Sequence, residues 1–195
     1  MTSAQDAAVG GPVGNVFSID EAEIILDEES LITRLDTLLA KTIVAICEMP
    51  VALLDQPLPV RGKEGRTVRG LAFHLGEVAL DPTRAAEGIA IVKAMHEYDP
   101  PDSLRTPHDL ATAAEVVRNR LAEWWVMADK PLDLGVIDYY QGPYTFHGLL
   151  ERTAWHVAMH LRQLAWILAD EGIGSNAGLT AEDTLYLPMP PSVWS

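Results

Sequence analysis

Apolar residues recur at helical spacing in four stretches of the chain, and no stretch of useful length alternates as a strand does. The first stretch passes through Ile24, Ile25, Leu31, Ile32, Leu35, Leu38, Leu39, Ile43 and Ile46. Ser18 and Glu21 read as its capping box, with Ile19 as the staple residue, and Pro50 ends it. The pattern predicts a helix over 18–49, divisible near Ser30. The second stretch has Thr67 as N-cap and Val68, Leu71, Ala72, Leu75, Val78 and Ala79 as its apolar positions. Asp81-Pro82 is expected to kink or stop this helix, because the residue before proline leaves the helical region, and helix is expected to resume to about His96. The third begins at Thr106-Pro107-His108-Asp109, a cap followed by proline in the first turn and an acid, and runs to about Ala128. The fourth starts near Thr145, runs through Leu149, Leu150, Ala154, Val157, Ala158, Leu161, Leu164, Ala165 and Leu168, and stops at Gly172.

Proline and glycine punctuate the connections at 50–66, 98–106 and 130–144, and Val136 to Tyr140 reads as a short extended piece. The predicted fold is all-α, an antiparallel four-helix bundle over 18–172. A small, Gly-rich, polar segment over 1–17 is expected to be a flexible tail. Residues 173–195 form a Pro-rich C-terminal tail with one capped turn at Thr180 to Asp183.

Composition narrows the function classes. The 195 residues suit a single domain. Acids number 28 and bases 14, a net charge of −14, which speaks against nucleic acid and against an anionic membrane surface. The apolar run from Leu38 to Leu54 is broken by Lys41, Glu48 and Pro50, so no membrane span is predicted. No basic region precedes an apolar stretch within 1–14, so a cytoplasmic protein is expected. Cys47 is the single cysteine; it excludes an intrachain disulfide and is expected to be a plain buried thiol.

The chemistry concentrates on histidine. His156 and His160 are four residues apart, which puts both imidazoles on one helix face, a turn apart, able to share one ion. Their stripe continues to Gln163 and Ile167 between apolar neighbours, so both rings are expected to face inward. Buried imidazoles need partners, since an unpaired buried polar group costs roughly 1–3 kcal/mol. His74, in the apolar run Leu71-Ala72-Phe73-His74-Leu75-Gly76, is the candidate third ligand. Glu77 has three readings: a fourth ligand, an acceptor for a ring N–H, or a solvated acid. The bland reading of all three histidines is a set of hydrogen-bonded core groups. No glutamate stands three residues before any histidine, so a ferritin-like di-iron set is absent. His156 is followed by Val157, which excludes the HExxH peptidase pattern.

Other residues were weighed around this set. Arg69, Arg152 and Arg162 lie on or near the metal-bearing helices, where a cation can hold a carboxylate or pair with the acidic surface. Trp155 is expected to pack in the core. Trp124 and Trp125 cannot both face inward, so one is expected at the pocket or at a dimer seam. His96, His108 and His147 have polar or loop surroundings and are assigned no role.

Two segments, Arg66-Thr-Val-Arg-Gly-Leu-Ala-Phe-His74-Leu-Gly-Glu77 and Leu149-Leu-Glu-Arg-Thr-Ala-Trp-His156-Val-Ala-Met-His160-Leu-Arg-Gln163-Leu, resemble the second and the last long helix of the DinB/YfiT-like superfamily of metal-binding four-helix bundles. The resemblance is specific over about thirty residues, and the helix order extends it to roughly 25–172. It implies one divalent ion, zinc first and nickel, iron or manganese as alternatives, on His74, His156 and His160, with water in the remaining positions. It implies homodimerisation too, as does the aromatic surplus on the third helix. Relatives include thiol transferases using bacillithiol or mycothiol, a thiol-dependent maleylpyruvate isomerase, and metal-binding domains of sulfur-inserting enzymes. Their shared logic is a metal ion that stabilises a small thiolate and directs it at an electrophile.

The resemblance thus points to a metal-dependent thiol S-transferase, isomerase or lyase using a glutathione-, mycothiol- or bacillithiol-like cofactor on a small electrophilic substrate. Arg69 and Arg162 would hold the anionic groups of that cofactor. The alternatives are a non-catalytic metal- or ligand-binding bundle and a metal-dependent hydrolase. Two features depart from the family: the Asp81-Pro82 break soon after His74, and the aromatic loop carrying Tyr139, Tyr140 and Tyr144.

Overall fold

The computed structural model describes residues 26–59, 65–96, 100–130, 132–174 and 177–194. Four long helices make a bundle: α1 (Glu28–Cys47), α2 (Val68–Ala79), α4 (Pro107–Met127) and α5 (Phe146–Asp170), with a short α3 (Asp81–Ala86) following α2. Each long helix starts at a side-chain cap. Asp27, Thr67, Thr106 and Thr145 accept from the backbone N–H groups of Ser30, Gly70, Asp109 and Gly148. Thr106 and Asp109 form a reciprocal capping box.

α1 starts at Glu28, two residues before Ser30, because Asp27 is extended and its side chain accepts from the Ser30 N–H; the shorter first piece expected ahead of it lies outside the described residues. The Ser18–Glu21 capping box predicted for this helix lies outside the described residues. Asp81-Pro82 does stop α2, with Leu80 closing it and opening α3. Helix does not resume to His96. Gly88, at φ +71°, turns the chain out after Ala86, and Ile91 bridges in parallel to Tyr139. A single 3₁₀ turn, Lys93–His96, follows.

α1 packs on α4 and α5, and α2 packs on the same two helices. α1 and α2, and likewise α4 and α5, therefore lie across the bundle from each other, which the long connections at 48–67 and 128–145 accommodate. Leu35, Leu38 and Leu39 from α1, Leu75 and Val78 from α2, and Leu149, Leu150, Val157 and Leu161 from α5 meet in a water-free core. α5 is its axis, with most of its 25 residues buried.

The extended piece expected at Val136 to Tyr140 is one arm of a hairpin, β1 (Ile137–Tyr139) and β2 (Gly142–Tyr144). Tyr139 pairs with Gly142 across a two-residue tip, Tyr140 and Gln141, and Gly142 takes φ +125° to close it. The Pro-rich C-terminal segment is docked. Lys41 of α1 pairs with Asp183, and Arg34 donates to the Leu185 carbonyl. Farther along, Trp155, Arg162 and Gln163 of α5 donate to carbonyls of Pro188, Pro190, Ser192 and Val193.

Cys47 is exposed at the end of α1, not buried as expected, because it falls off the apolar stripe that Ala45 and Ile46 close. Trp125 is the inward member of its pair and donates to Glu29, while Trp124 is half-buried against Phe146. Among the described residues no helix is long and apolar enough to cross a membrane.

At the start of α5, His147 Nε2 lies 3.6 Å from Glu151 Oε1. The Glu151 carboxylate raises the imidazole pKa above its usual value; burial opposes this, and Glu28 and Asp27 support it. A proton held more tightly by the folded chain stabilises it fully below about pH 6.5, and that stabilisation is lost as pH rises through the folded-state pKa. The urea midpoint of the wild type should therefore fall across this window, and that of Glu151→Gln should fall less. An NMR titration placing His147 at or below an ordinary histidine pKa would contradict this.

Candidate metal centre

The cap at Thr67 sets the phase of α2 so that His74, two turns in, faces α5 and is half-buried. On α5 the residues Arg152, His156, His160 and Gln163 form one stripe, and all four are buried. The three histidines meet Nε2 to Nε2. His74 and His156 are 3.4 Å apart, His156 and His160 are 2.8 Å apart, and the possible ligand atoms of all three lie within 4.8 Å of one another. Two nitrogens bound at about 2.0–2.1 Å to one zinc ion stand roughly 3.4 Å apart at a tetrahedral angle and about 2.9 Å apart at a right angle. The separations of the α2–α5 pair and the α5 pair match these two values. The donor set fits one divalent ion.

The outer nitrogens decide the protonation pattern. His160 Nδ1 lies 2.7 Å from Gln163 Oε1, which can only accept, so the proton sits on Nδ1 and the Nε2 lone pair faces the centre. Gln163 Nε2 donates in turn to the Val193 carbonyl at 3.0 Å. His156 Nδ1 lies 3.3 Å from Arg152 Nη1, which can only donate. Without an ion, His156 then keeps its proton on Nε2 and gives it to His160. An ion on the three Nε2 atoms would replace that hydrogen bond, and the His156 proton would then leave or move to Nδ1, displacing the Arg152 N–H. Burial, then the neighbouring His160, Arg152, His74 and His96, hold His156 well below the usual histidine range, so the ring is neutral near pH 7.

Beside the triad is a second buried cluster. Asp81 is fully buried and accepts from Tyr139 at 3.0 Å, His96 Nε2 at 3.0 Å and Arg84 at 3.4 Å. His96 Nδ1 lies 3.2 Å from the Tyr140 hydroxyl, and its ring sits edge-on to His74 at 5.8 Å. His96, read as a loop histidine without a role, is in fact buried against the centre. Burial and then the Asp81 charge push the Tyr139 hydroxyl far above its usual range, so it stays a hydrogen-bond donor.

The remaining candidates fall elsewhere. Glu77 is paired with Arg84 at 2.6 Å, which leaves its carboxylate committed to α3. Arg69 has no polar contact with the three histidines. It lies 3.8 Å from Asp55 and lines a polar surface pocket of about 260 Å³ with Asp55, Asp102 and Arg105. Arg162 is spent on the carbonyls of Pro190 and Ser192, at 2.9 and 2.7 Å. Trp155 is half-buried, packs against the edge of the core and donates to the Pro188 carbonyl. The acid in the apolar run Val78-Ala79-Leu80-Asp81-Pro82 was the one available sign of the second cluster. Nothing in the local sequence marks His96.

Removing the Asp81 carboxylate leaves the buried Tyr139 hydroxyl and His96 Nε2 without their acceptor, while Arg84 keeps Glu77. Asp81→Ala should lower unfolding stability by about 3–5 kcal/mol in urea titrations. A loss below about 1 kcal/mol would mean the cluster is not closed as described.

No family model matches the chain, and no curated protein matches it. The four-helix bundle and a histidine triad able to hold a metal ion thus stand on the chain's own residues and geometry.

Proposed function

We propose that the chain binds one divalent ion on His74, His156 and His160 and acts as a metal-dependent enzyme of the DinB/YfiT-like type. The observation that carries this reading is the meeting of three Nε2 atoms at separations of 3.4 and 2.8 Å from two different helices. Three neutral imidazoles suit zinc first, with nickel, iron and manganese as alternatives, and three protein ligands leave positions open. An ion held this way supplies Lewis acidity and stabilises a thiolate at neutral pH. The reaction we infer moves a small thiol onto an electrophilic molecule, or uses it for isomerisation or lysis. The chain's own thiol, Cys47, is exposed at the end of α1 and takes no part.

The protein residues have distinct tasks in this reading. Gln163 fixes the tautomer and angle of His160, and Val193 fixes Gln163, so the C-terminal segment bears on the centre. Asp81 and His96 hold the Tyr140 hydroxyl at the edge of the site. The exposed Val126 and Met127 at the end of α4 support a homodimer seam in a cytoplasmic protein. A second reading, a non-catalytic binding bundle, draws on the limited exposure of His156 and His160, at 9% and 4%.

Mass spectrometry of untagged native protein should find about one divalent ion per chain, and His156→Ala should lose it. No metal in the wild type would remove the basis of the enzyme reading. Gln163→Leu should keep the fold and weaken metal affinity by about 10–100-fold, measured by competition with a chelator. Unchanged affinity would show that the Gln163–Val193 link does not act on His160.

A further inference from the structure

Arg152 is 2% exposed, and among the described residues no carboxylate pairs with it. Its polar partners are both neutral: Gln141 Oε1 accepts from Nε at 3.0 Å, and His156 Nδ1 lies 3.3 Å from Nη1. Its guanidinium lies over the Tyr139 ring at 4.5 Å. The nearest buried acid along this path, Asp81, sits beyond Tyr139 and is committed to Arg84, His96 and the Tyr139 hydroxyl. A buried charge without a counter-charge is costly, and arginine cannot shed its proton to escape that cost. Arg152 is therefore a buried cation met only by neutral groups among the described residues, one helical turn (about 5.4 Å) from the candidate ligand His156 on the same face of α5.

We propose that Arg152 is the anion-recognising residue of this centre and that its ligand is a small carboxylate-bearing molecule whose second donor reaches the metal. This rests on the metal reading above and deepens it by naming the ligand class. The position a carboxylate would take is marked by the Gln141 amide oxygen. Gln141 is exposed and sits at the two-residue hairpin tip, so it can leave the guanidinium without disturbing the core. A carboxylate makes charge-assisted and bidentate bonds to the fork, which a single neutral amide oxygen does not. The guanidinium's position over the Tyr139 ring and its bond to Gln141 hold the fork in place, so lysine would not replace it. Arg152 takes the role the sequence had suggested for Arg69 and Arg162, whose groups are engaged away from the triad.

The test uses the metal-free full chain reloaded with cobalt(II), whose visible absorption is followed while mercaptoacetate or neutral 2-mercaptoethanol is added. Wild type should bind mercaptoacetate at least about tenfold tighter than 2-mercaptoethanol. Arg152→Met should abolish that preference, and Gln141→Ala should tighten mercaptoacetate alone. Equal affinity of the two thiols for the wild type overturns the proposal and leaves the metal reading standing. So does a preference that survives in Arg152→Met, which would be chelation by cobalt itself. Because loss of a buried guanidinium can unfold the chain, Gln141→Ala is the independent arm: unchanged mercaptoacetate affinity there also overturns the proposal. Absence of any cobalt spectrum overturns the metal reading, and this inference with it.

Discussion

The structure depends on one constraint: α5 is buried along most of its length, yet its inner face carries a guanidinium, two imidazoles and an amide. Each must find a partner, since an unsatisfied polar group in such a core costs more than most apolar contacts return. The partners come from three separate parts of the chain. His74 comes from α2, Gln141 and Tyr139 from the hairpin, and the Val193 carbonyl from the C-terminal segment. The polar stripe thus gathers the irregular segments around one helix.

This explains why the break at Asp81-Pro82 and the aromatic hairpin are where they are. The interruption at Asp81 and the aromatic hairpin are two halves of one cluster. Leu80 ends α2, which lets Asp81 turn inward as the first residue of α3. The carboxylate then meets Tyr139 from β1 and His96 from the 3₁₀ turn. Gly88 makes this possible by turning the chain out of α3, so that Ile91 can lie beside β1. A helix continuing to His96 would have carried that imidazole away from Asp81.

Much of the fold was legible in the sequence, because its signals are local. Thr67, Thr106 and Thr145 are caps by chemistry, and the apolar periods of α2, α4 and α5 need no tertiary information. The convergence of His74 with His156 and His160 could be anticipated, since an imidazole in an apolar run must be satisfied by something. His96, Asp81 and the docking of the C-terminal segment were not legible for the opposite reason. Their partners lie 15, 58 and 30 residues away, through Asp81, Tyr139 and Gln163, and no periodicity encodes such pairings. Cys47 shows a further limit: one step beyond Ile46 on a helix changes a buried position into an exposed one.

The arginines show how charge alone misleads where burial decides. Three arginines near the histidines looked equivalent by sequence. Arg69 faces Asp55 at 3.8 Å across an open pocket, and Arg162 donates through Nη2 to two carbonyls. Each keeps a buried Nε without a hydrogen-bond partner, but both are held by groups away from the triad. Arg152 is as buried as the leucines beside it and is met only by neutral groups. In water that difference would matter little; in a low-dielectric core it sets where an anion is favoured. Burial first, then His160 and this charge, keep the His156 ring neutral. The same buried cation, a turn from the histidine donors, supplies the attraction for the acid that would join them.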